Sequence, residues 1–334
     1  MNLPRPPQLV ASIWTFILGL MTLCLSLGAS AQSPGPFPQG TVRIVITLPP
    51  GGATDLIARE IAKGLQEMWG QPVIVESKPG ASGIVGTEFV TKAAPDGHTL
   101  LLISSTALVS TPFLYDKVPY NSLTDLKPIS MVAAVPNVLV VHPQLRVSTL
   151  KDFIAAAKAR PGSLNYATSG KGESNHIAME ALQKAADARL TEIPYRGGAP
   201  AVVALLAGEV QASWLAVSTA MPHLKSGKLL ALAVSSPERA PQLPDIPSVI
   251  ELGYSAFEAA FNVGILGPGG LTPALTAKIQ QDIQTVARSA AYRERVLASG
   301  NLVMASTSEE FSKLLQTDMV RYRNILAPDG VKKN

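Results

Sequence analysis

The sequence of 334 residues has a single cysteine, Cys24, which lies in an apolar segment near the N-terminus. If the chain is cleaved after Ala31, the mature protein has no cysteine. It then has no disulfide, no thiolate metal ligand and no cysteine nucleophile. Such a chain must fold on its hydrophobic core alone, and roughly 300 residues are ample for one large or two ordinary domains.

The sequence also lacks the patterns of several functional classes. Lysine and arginine are spread along the chain and the net charge is only +4, so we expect no nucleic-acid partner. The four histidines lie far apart, and no H-E-x-x-H, G-x-S-x-G or G-x-x-x-x-G-K-S/T segment occurs. We therefore predict no metal, no cofactor and no enzymatic activity. A secreted hydrolase that combines Ser82 or Ser169 with His176 stays open, because catalytic triads assemble from distant residues.

The N-terminal segment is typical of a secretory signal. Arg5 precedes an apolar run from Ile13 to Leu27, and small residues follow at 29–31. The run is shorter than the ~18–20 apolar residues that span a bilayer. We predict a cleaved signal peptide over residues 1–31 and a periplasmic mature protein. An uncleaved membrane anchor is the alternative.

The remaining chain alternates between two patterns. Short β-branched runs such as "TVRIVITL", "QPVIVES", "HTLLLIS", "NVLVVHP" and "LLALAVSS" predict strands, and longer amphipathic segments predict helices. In "DLIAREIAKGLQEMW", Ile57, Ile61, Leu65 and Met68 share one helical face. Strands that alternate with helices predict an α/β fold with parallel sheets.

Four glycine-rich corners connect a predicted strand to a predicted helix. They are corner 1 (49–55, "PPGGATD"), corner 2 (78–86, "KPGASGIVG"), corner 3 (169–174, "SGKGES") and corner 4 (196–200, "RGGAP"). Glycine lets the backbone approach a ligand closely, and the first N–H groups of a helix attract an anion. The corners therefore predict a site for a small acidic molecule. Ordinary turn chemistry, which also favours glycine, is the alternative.

The ordered motifs of the mature chain resemble those of the Bordetella uptake gene (Bug) family. The resemblance runs from about Thr41 to Gly330 and includes "PPGGATDLIAR", "KAAPDGHTLL", "IPYRGGAPAVVALLAGEVQ" and "FNVGILGPGGLTPAL". It implies a two-lobe periplasmic binding protein fold (type II-like) with the ligand cleft between the lobes. Lobe 1 would hold residues 41–133 plus 259–330, and lobe 2 would hold residues 134–258.

The resemblance also implies a function. The protein would be a monomeric solute-binding protein that captures a small organic acid and delivers it to membrane subunits of a tripartite tricarboxylate transporter. A periplasmic sensor that reports to a membrane kinase would use the same cleft. The ligand-binding residues implied are Pro50, Gly51, Gly52, Asp55, Ser82, Ser105, Thr168, Ser169, Gly170, Asn175, His176, Tyr195, Arg196, Gly197, Trp214 and Leu215.

Two positions depart from the family pattern. Leu215 and Ala216 follow Trp214, where relatives commonly carry an acid, and this change favours an apolar carboxylate over an amino acid. Glu173 stands where Ser or Thr is usual. Its charge near the mouth of the cleft would weaken binding of a polyanion unless Lys171 offsets it.

Several implied site residues have a purely structural alternative. Asp55 is a favoured helix N-cap, and His176 lies one turn from Glu180. Arg196 could grip a carboxylate or bridge two loops, and Trp214 could belong to the core.

Overall fold

The computed structural model describes residues 37–236, 238–254, 257 and 261–326. The predicted signal peptide, the predicted lobe boundary at 258/259 and residues 327–330 of predicted lobe 1 lie outside the described residues. Within the described part of the chain, no helix is long and apolar enough to cross a membrane.

The described residues form two sheets and the helices that cover them. The strands are β1 (Val42–Ile46), β2 (Val73–Ser77), β3 (Thr99–Ser104), β4 (Leu126–Ala134), β5 (Asn137–Val141), β6 (Asn165–Thr168), β7 (Thr191–Pro194), β8 (Ala212–Ala216), β9 (Leu230–Val234), β10 (Asn262–Pro268) and β11 (Leu302–Val303). The helices are α1 (Ala53–Trp69), α2 (Ile84–Thr91), α3 (Ser105–Leu114), α4 (Leu150–Ala159), α5 (Ser174–Ala186), α6 (Gly198–Leu206), α7 (Val217–Lys225), α8 (Pro273–Arg288), α9 (Ala290–Ala298) and α10 (Ser308–Leu326).

Each sheet is the centre of one lobe. The six-stranded sheet has the order β11-β4-β10-β3-β1-β2, and the five-stranded sheet has the order β7-β6-β8-β5-β9. We call the corresponding parts lobe 1 and lobe 2. The chain changes sheet between Ala134 and Asn137 and returns to lobe 1 before Asn262. This is the predicted two-lobe α/β architecture, whereas the residue limits assigned to each lobe stay a prediction.

The prediction of parallel sheets holds only in part, because both sheets are mixed. β1 pairs in parallel with β2 and β3, and β6 pairs in parallel with β7 and β8. However, β10 is antiparallel to β3 and β4, and β5 is antiparallel to β8 and β9. β10 and β5 each follow a segment that comes from the other lobe, so no crossover helix precedes either of them within its own sheet, and the rule that makes βαβ units parallel does not apply to them. The short strand β11, which follows α9 of lobe 1, is also antiparallel to its neighbour β4.

Helix α1 shows how burial orders the sequence pattern. Ile57, Ile61 and Leu65 are fully buried under the sheet, as the helical spacing predicts. Burying a side chain of this size stabilises the fold by about 1.5–3 kcal/mol. Met68, predicted on the same face, is 42% exposed.

The corners lie where the lobes meet. Each follows one of β1, β2, β6 and β7, so two belong to each sheet at the carboxyl ends of parallel strands. A Cβ added at Gly197 would lie 3.5 Å from the Pro49 ring, and the Gly172 carbonyl accepts a hydrogen bond of 2.8 Å from Ser110 of α3. Ile177 of lobe 2 is fully buried in the core of lobe 1. The glycines therefore allow close contact between the lobes around the space that separates their corners.

Candidate functional site

A cavity of about 350 Å³ separates the two lobes where three of the four corners meet. Corner 1 contributes residues 49–54, corner 3 contributes Ser169, Glu173 and Ser174, and corner 4 contributes all of residues 196–200. The remaining lining includes Ser104, Val135, Asn137, Asn175, Val202, Trp214, Leu215, Ala216, Thr219, Phe261 and Val263. The cavity is large enough for a small organic molecule.

Corner 1 presents the N-terminus of α1 to the cavity. Gly52 is the N-cap, and Gly51 has a φ of 96°, which favours glycine. The N–H of Gly51 donates to the Asp55 carboxylate at 3.0 Å, and Arg59 contacts the same carboxylate at 3.0 Å. The Gly51 N–H therefore already has an acceptor. The positive end of α1 still faces the cavity through the first residues of the helix, which have no intrahelical acceptor.

Side chains of α5 hold corner 3 in shape. Asn175 Oδ1 accepts from the Ser169 N–H at 3.3 Å and from the Ser169 hydroxyl at 3.1 Å. His176 Nδ1 accepts from the Gly172 N–H at 3.2 Å, and its Nε2 lies 3.6 Å from Glu192. Burial lowers the pKa of His176, and the charge of Glu180 partly opposes this effect. His176 is thus buried and largely neutral at neutral pH, and it fixes corner 3 by accepting from the Gly172 N–H.

Corner 4 brings an arginine to the lining. Arg196 is exposed, and no carboxylate of the described residues lies within ion-pair distance of it. Gly197, with a φ of 104°, donates its N–H to the carbonyls of Tyr195 and Ser169 at 3.0 and 3.3 Å. These bonds join corners 3 and 4 without help from the Arg196 side chain. The guanidinium is therefore available to an anion, while the loop-bridging alternative has no described contact.

The floor of the cavity comes from the strands that link the lobes and from β8. Trp214 is 1% exposed and stacks on Phe257, with 5.5 Å between ring centroids. Its neighbours Leu215 and Ala216 also line the cavity, as do Val135 and Phe261. The floor thus offers apolar surface for a hydrocarbon or aromatic part of a ligand.

Four buried polar atoms of the lining have no hydrogen-bond partner among the described residues. They are Ser104 Oγ, Asn137 Nδ2, Glu173 Oε1 and Trp214 Nε1. Native proteins pair almost all buried polar groups, since an unpaired one costs about 1–3 kcal/mol. Because all four line one cavity, a single bound molecule can complete these hydrogen bonds.

Comparison with known proteins assigns the family. The sequence matches the family model of the tripartite tricarboxylate transporter family receptor over residues 57–331. It is 36% identical to Protein BugT of Bordetella pertussis over 305 residues, which are 91% of this chain and 94% of BugT. The chain belongs to this family. The predicted resemblance to Bug proteins is thereby confirmed.

Solved structures place the receptor among periplasmic binding proteins. A Rhodopseudomonas palustris protein solved with adipate superposes with a TM-score of 0.81 at 26% identity, covering 86% of this chain and 97% of its own. MatC from the same organism, solved with bound malate, gives a TM-score of 0.80 at 28% identity, covering 87% and 100%. The two-lobe binding-protein fold is confirmed, and proteins of this fold and family are non-enzymatic.

The hydrolase alternative finds no catalytic pair among the described residues of this receptor. The hydroxyl of Ser82 is 2.8 Å from the Tyr115 hydroxyl, and that of Ser169 donates to Asn175. Neither serine is bonded to His176, whose two ring nitrogens face Gly172 and Glu192. A nucleophile activated by a neighbouring base therefore does not form from these residues.

The structure divides the predicted site residues into two groups. Nine line the cavity: Pro50, Gly51, Gly52, Ser169, Asn175, Arg196, Gly197, Trp214 and Leu215. Seven do not: Asp55, Ser82, Ser105, Thr168, Gly170, His176 and Tyr195. The structure thus brings three corners together and leaves corner 2 outside the cavity lining.

Corner 2 lies outside the cavity lining because of its backbone conformation. Ala81 and Ser82 have φ values of 46° and 51°, and this turn carries the Ser82 hydroxyl to Tyr115. That hydroxyl also lies 3.3 Å from the position a Cβ at Gly170 would take. Corner 2 therefore packs against corner 3 as part of the contact between the lobes.

The other off-cavity residues support those that line it. Ser105 is fully buried and donates to Asp318 at 3.3 Å, so its neighbour Ser104 reaches the cavity instead. Thr168 donates to Glu192 at 2.7 Å. Asp55 is the third residue of α1 and not its N-cap, but it does satisfy the helix entrance through the Gly51 N–H. Tyr195 packs against the core of lobe 2.

The environment of Glu173 differs from the one that the sequence predicted. It lies in the cavity lining with 3% of its surface exposed, rather than in solvent near the mouth. Burial raises its pKa to about 7. Lys171 is exposed, and its charge lowers the pKa of His176 and Glu192 rather than that of Glu173. The expected compensation by Lys171 therefore finds no support.

Sequence reasoning missed Ser104, Asn137, Phe261 and Val263. Asn137, Phe261 and Val263 lie at or next to the start of a strand by which the chain enters a lobe, whereas Ser104 ends β3 just before α3, and no glycine corner marks these positions. For the first three, the one available signal was the lobe limits implied by the family resemblance, near residues 133/134 and 258/259.

Proposed function

We propose that this receptor captures a small organic carboxylate in the cavity between its lobes, in the periplasm. The observation that carries the proposal is the lining itself. An arginine without a described ion-pair partner, a helix N-terminus and buried N–H donors of Asn137 and Trp214 surround an apolar floor. Positive charge and orphan donors suit a carboxylate, and the floor suits its carbon skeleton.

The relatives support the same ligand class. The R. palustris structures were solved with adipate and with malate, two carboxylates. Leu215 and Ala216, with Val135 and Phe261, make the floor of this cavity apolar. We therefore expect carboxylates with an aliphatic or aromatic body to bind better than citrate-like acids or acidic amino acids.

The remaining parts of the proposal follow from the family. Residues 1–31 would direct export and be removed, and the mature receptor would act as a monomer. It would pass its ligand to membrane subunits of a tripartite tricarboxylate transporter, because the family is described as the receptor of that system. Lobe 1 would comprise residues 41–133 plus 259–330, and lobe 2 residues 134–258.

Thermal unfolding of the mature chain against a carboxylate panel tests the ligand class. The panel contains adipate, malate, citrate, benzoate, nicotinate and glutamate. A ligand at 100 times its Kd stabilises the folded state by about 2.7 kcal/mol, which is a readily measured shift. A shift with aliphatic or aromatic acids supports the proposal. No shift with any acid, from protein shown by native mass spectrometry to be free of ligand, contradicts it.

A matched pair of variants ties such a shift to the cavity. Gly198 lines the cavity, and a Cβ built there meets nothing within 4 Å. Gly198→Trp should therefore fill the cavity without disturbing the fold and abolish the ligand-induced shift. Gly40 is equally open but is not part of the lining. Gly40→Trp should keep the shift, and a loss in both variants would show that the shift does not report on this cavity.

A further inference from the structure

Glu173 is the one acidic side chain among the described residues that line the cavity. It is the N-cap residue of α5 but caps nothing with its side chain, and Oε1 has no hydrogen-bond partner in the described part of the chain. It is 3% exposed. The corner around it is otherwise satisfied, since Asn175 accepts from Ser169 and His176 accepts from Gly172. A buried carboxyl group without a partner in the cavity lining can therefore hydrogen-bond to a ligand.

No described cation neutralises this carboxyl group. Lys171 on the same corner is exposed, and Arg196 on corner 4 makes no ion pair with a described residue. The other titratable groups on the elements that pack around this corner are His176 and Glu180 on α5, Glu192 on β7 beside His176, and Tyr115, which follows α3 and bonds to Ser82. His176 is engaged by Gly172 and Glu192. Burial without compensation raises the pKa of Glu173 to about 7, so the neutral acid is well populated near neutral pH.

The other unpaired polar atoms of the cavity can all donate. Asn137 Nδ2 and Trp214 Nε1 are donors only, and the Ser104 hydroxyl can donate as well. A molecule that satisfies them must bring acceptor atoms, as a carboxylate does. A neutral Glu173 adds a fourth donor to this set, whereas an ionised Glu173 would repel the anion at close range.

We propose that Glu173 binds the ligand as a neutral carboxylic acid that donates a hydrogen bond to an acceptor oxygen of the organic anion. Ligand binding then takes up a proton wherever Glu173 is ionised in the free receptor. The inference rests on the proposed function, and it assigns Glu173 as the residue that couples carboxylate binding to pH.

The expected pH dependence follows from linkage. Free carboxyl groups of the ligand titrate near pH ~4, so they stay ionised above pH ~6.5. Affinity for the anion should then be constant well below the pKa of Glu173 and should fall above it. The fall approaches about tenfold for each pH unit, because one proton must be taken up per ligand bound.

Titration calorimetry of the mature receptor with adipate, malate and benzoate at pH 6.5, 7.5 and 8.5 tests the proposal. Wild type should lose nearly tenfold in affinity for its best ligand between pH 7.5 and 8.5. Repeating the titration in buffers of different ionisation enthalpy counts the protons taken up by wild type directly. Glu173→Gln, which keeps a donor and cannot ionise, should bind tightly with little pH dependence. Glu209→Gln removes the same charge from an exposed site of lobe 2 and should behave like wild type.

Three results would overturn the proposal. Affinity that rises with pH, together with loss of binding in Glu173→Gln, would show that ionised Glu173 accepts from a cationic ligand group. Carboxylate binding with no proton uptake and no effect of Glu173→Gln would leave the proposed function standing and remove Glu173 from it. Absence of binding by wild type and by folded Glu173→Gln at every pH would instead overturn the proposed function, and the inference with it.

Discussion

The two lobes each place a carboxylate at the start of a helix that faces the cavity, and they treat it in opposite ways. In lobe 1, Asp55 in the first turn of α1 accepts from the Gly51 N–H and pairs with Arg59. In lobe 2, Glu173 at the N-cap of α5 has an Oε1 with no partner among the described residues. Both are buried, at 7% and 3% exposure. Burial alone therefore does not distinguish a structural acid from a ligand-facing one.

The difference lies in what each acid leaves unsatisfied. Asp55 completes the hydrogen bonds of its own corner, so its removal should mainly cost stability. Glu173 leaves its own charge uncompensated, so its ionised form destabilises the empty receptor until a ligand or a proton arrives. The two acids are thus separated by charge compensation, since Arg59 lies 3.0 Å from Asp55 Oδ1 whereas Glu173 has no such ion pair among the described residues.

The largest expected effect is on the pH dependence of stability. Burial raises the pKa of Glu173 in the folded protein to about 7 from an ordinary value of 4.5, so the folded state binds more protons between these values. The free energy of unfolding of wild type should therefore fall as the pH rises through this window, by up to about 3 kcal/mol at ~1.4 kcal/mol per unit. Glu173→Gln should remove this fall and be more stable than wild type at pH 8.

Urea unfolding at pH 5, 6.5 and 8 measures this difference. Glu209→Gln, an exposed change of the same charge, is the control and should follow the wild-type curve. Equal slopes for wild type and Glu173→Gln would contradict the assignment of a buried, uncompensated acid.

The second effect concerns the contact that buries Glu173. Gly172 has a φ of 81°, and a Cβ there would lie 2.8 Å from Ser110 Oγ and 2.9 Å from a Leu114 methyl group. Gly172→Ala should lower the free energy of unfolding by about 2 kcal/mol, because it strains the backbone and loosens the contact between corner 3 and α3. By exposing Glu173, it should also move the pKa of that residue back toward its ordinary value.

Gly198→Ala is the matched control, because no atom lies within 4 Å of a Cβ at that position. It should not lose stability. Unfolding free energies that are equal for the two alanine variants would argue that the lobes do not meet tightly at corner 3.

Much of the fold was predictable because hydrophobic periodicity and turn motifs are local features of the sequence. Hydrophobic periodicity located α1, and the family resemblance supplied the two lobes. Helix α3 was not predicted, since serine and threonine at 105, 106, 110 and 111 and Pro112 are poor helix formers. The four serine and threonine residues are fully buried, partly against α10 and partly against corner 3, and this burial overrides their intrinsic preference. Likewise, the helical pattern of residues 273–299 predicts one helix, but the structure has two, because Ser289 begins α9 by accepting from the Tyr292 N–H.

The cavity was only partly predictable for the same reason. Corners 1, 3 and 4 are local motifs, and they line the cavity. Ser104 rather than Ser105 lines the cavity because Ser105 bonds to the distant Asp318. Corner 2 lies outside the lining because Ser82 bonds to Tyr115. The burial of Glu173 depends on the approach of α3, which is 62 residues away at the bond from Ser110 to Gly172. Such contacts have no signature in a single sequence.

The third effect tests the acid of lobe 1. Asp55→Ala removes the acceptor of the Gly51 N–H and the partner of Arg59, and it should cost about 1–2 kcal/mol. Asp55→Asn keeps an acceptor oxygen and should lose less. Glu67→Ala, at an exposed position of the same helix, should stay within about 0.5 kcal/mol of wild type. Urea unfolding at pH 7 gives all three values, and an Asp55→Ala variant as stable as wild type would mean that corner 1 does not need its acid.

The smallest effect separates Lys171 from Glu173. Lys171 is exposed, and its charge lowers the pKa of His176 and of Glu192. Lys171→Gln should change the unfolding free energy by less than about 0.5 kcal/mol. It should raise the pKa of His176 slightly, which NMR titration of the imidazole protons can follow. The pH at which Glu173 alters stability should stay that of wild type, since burial and not Lys171 sets it. A shift of that midpoint in Lys171→Gln would mean that Lys171 does compensate the charge of Glu173. The two acids would then differ in how far away their cationic partners lie, and not in whether they have one.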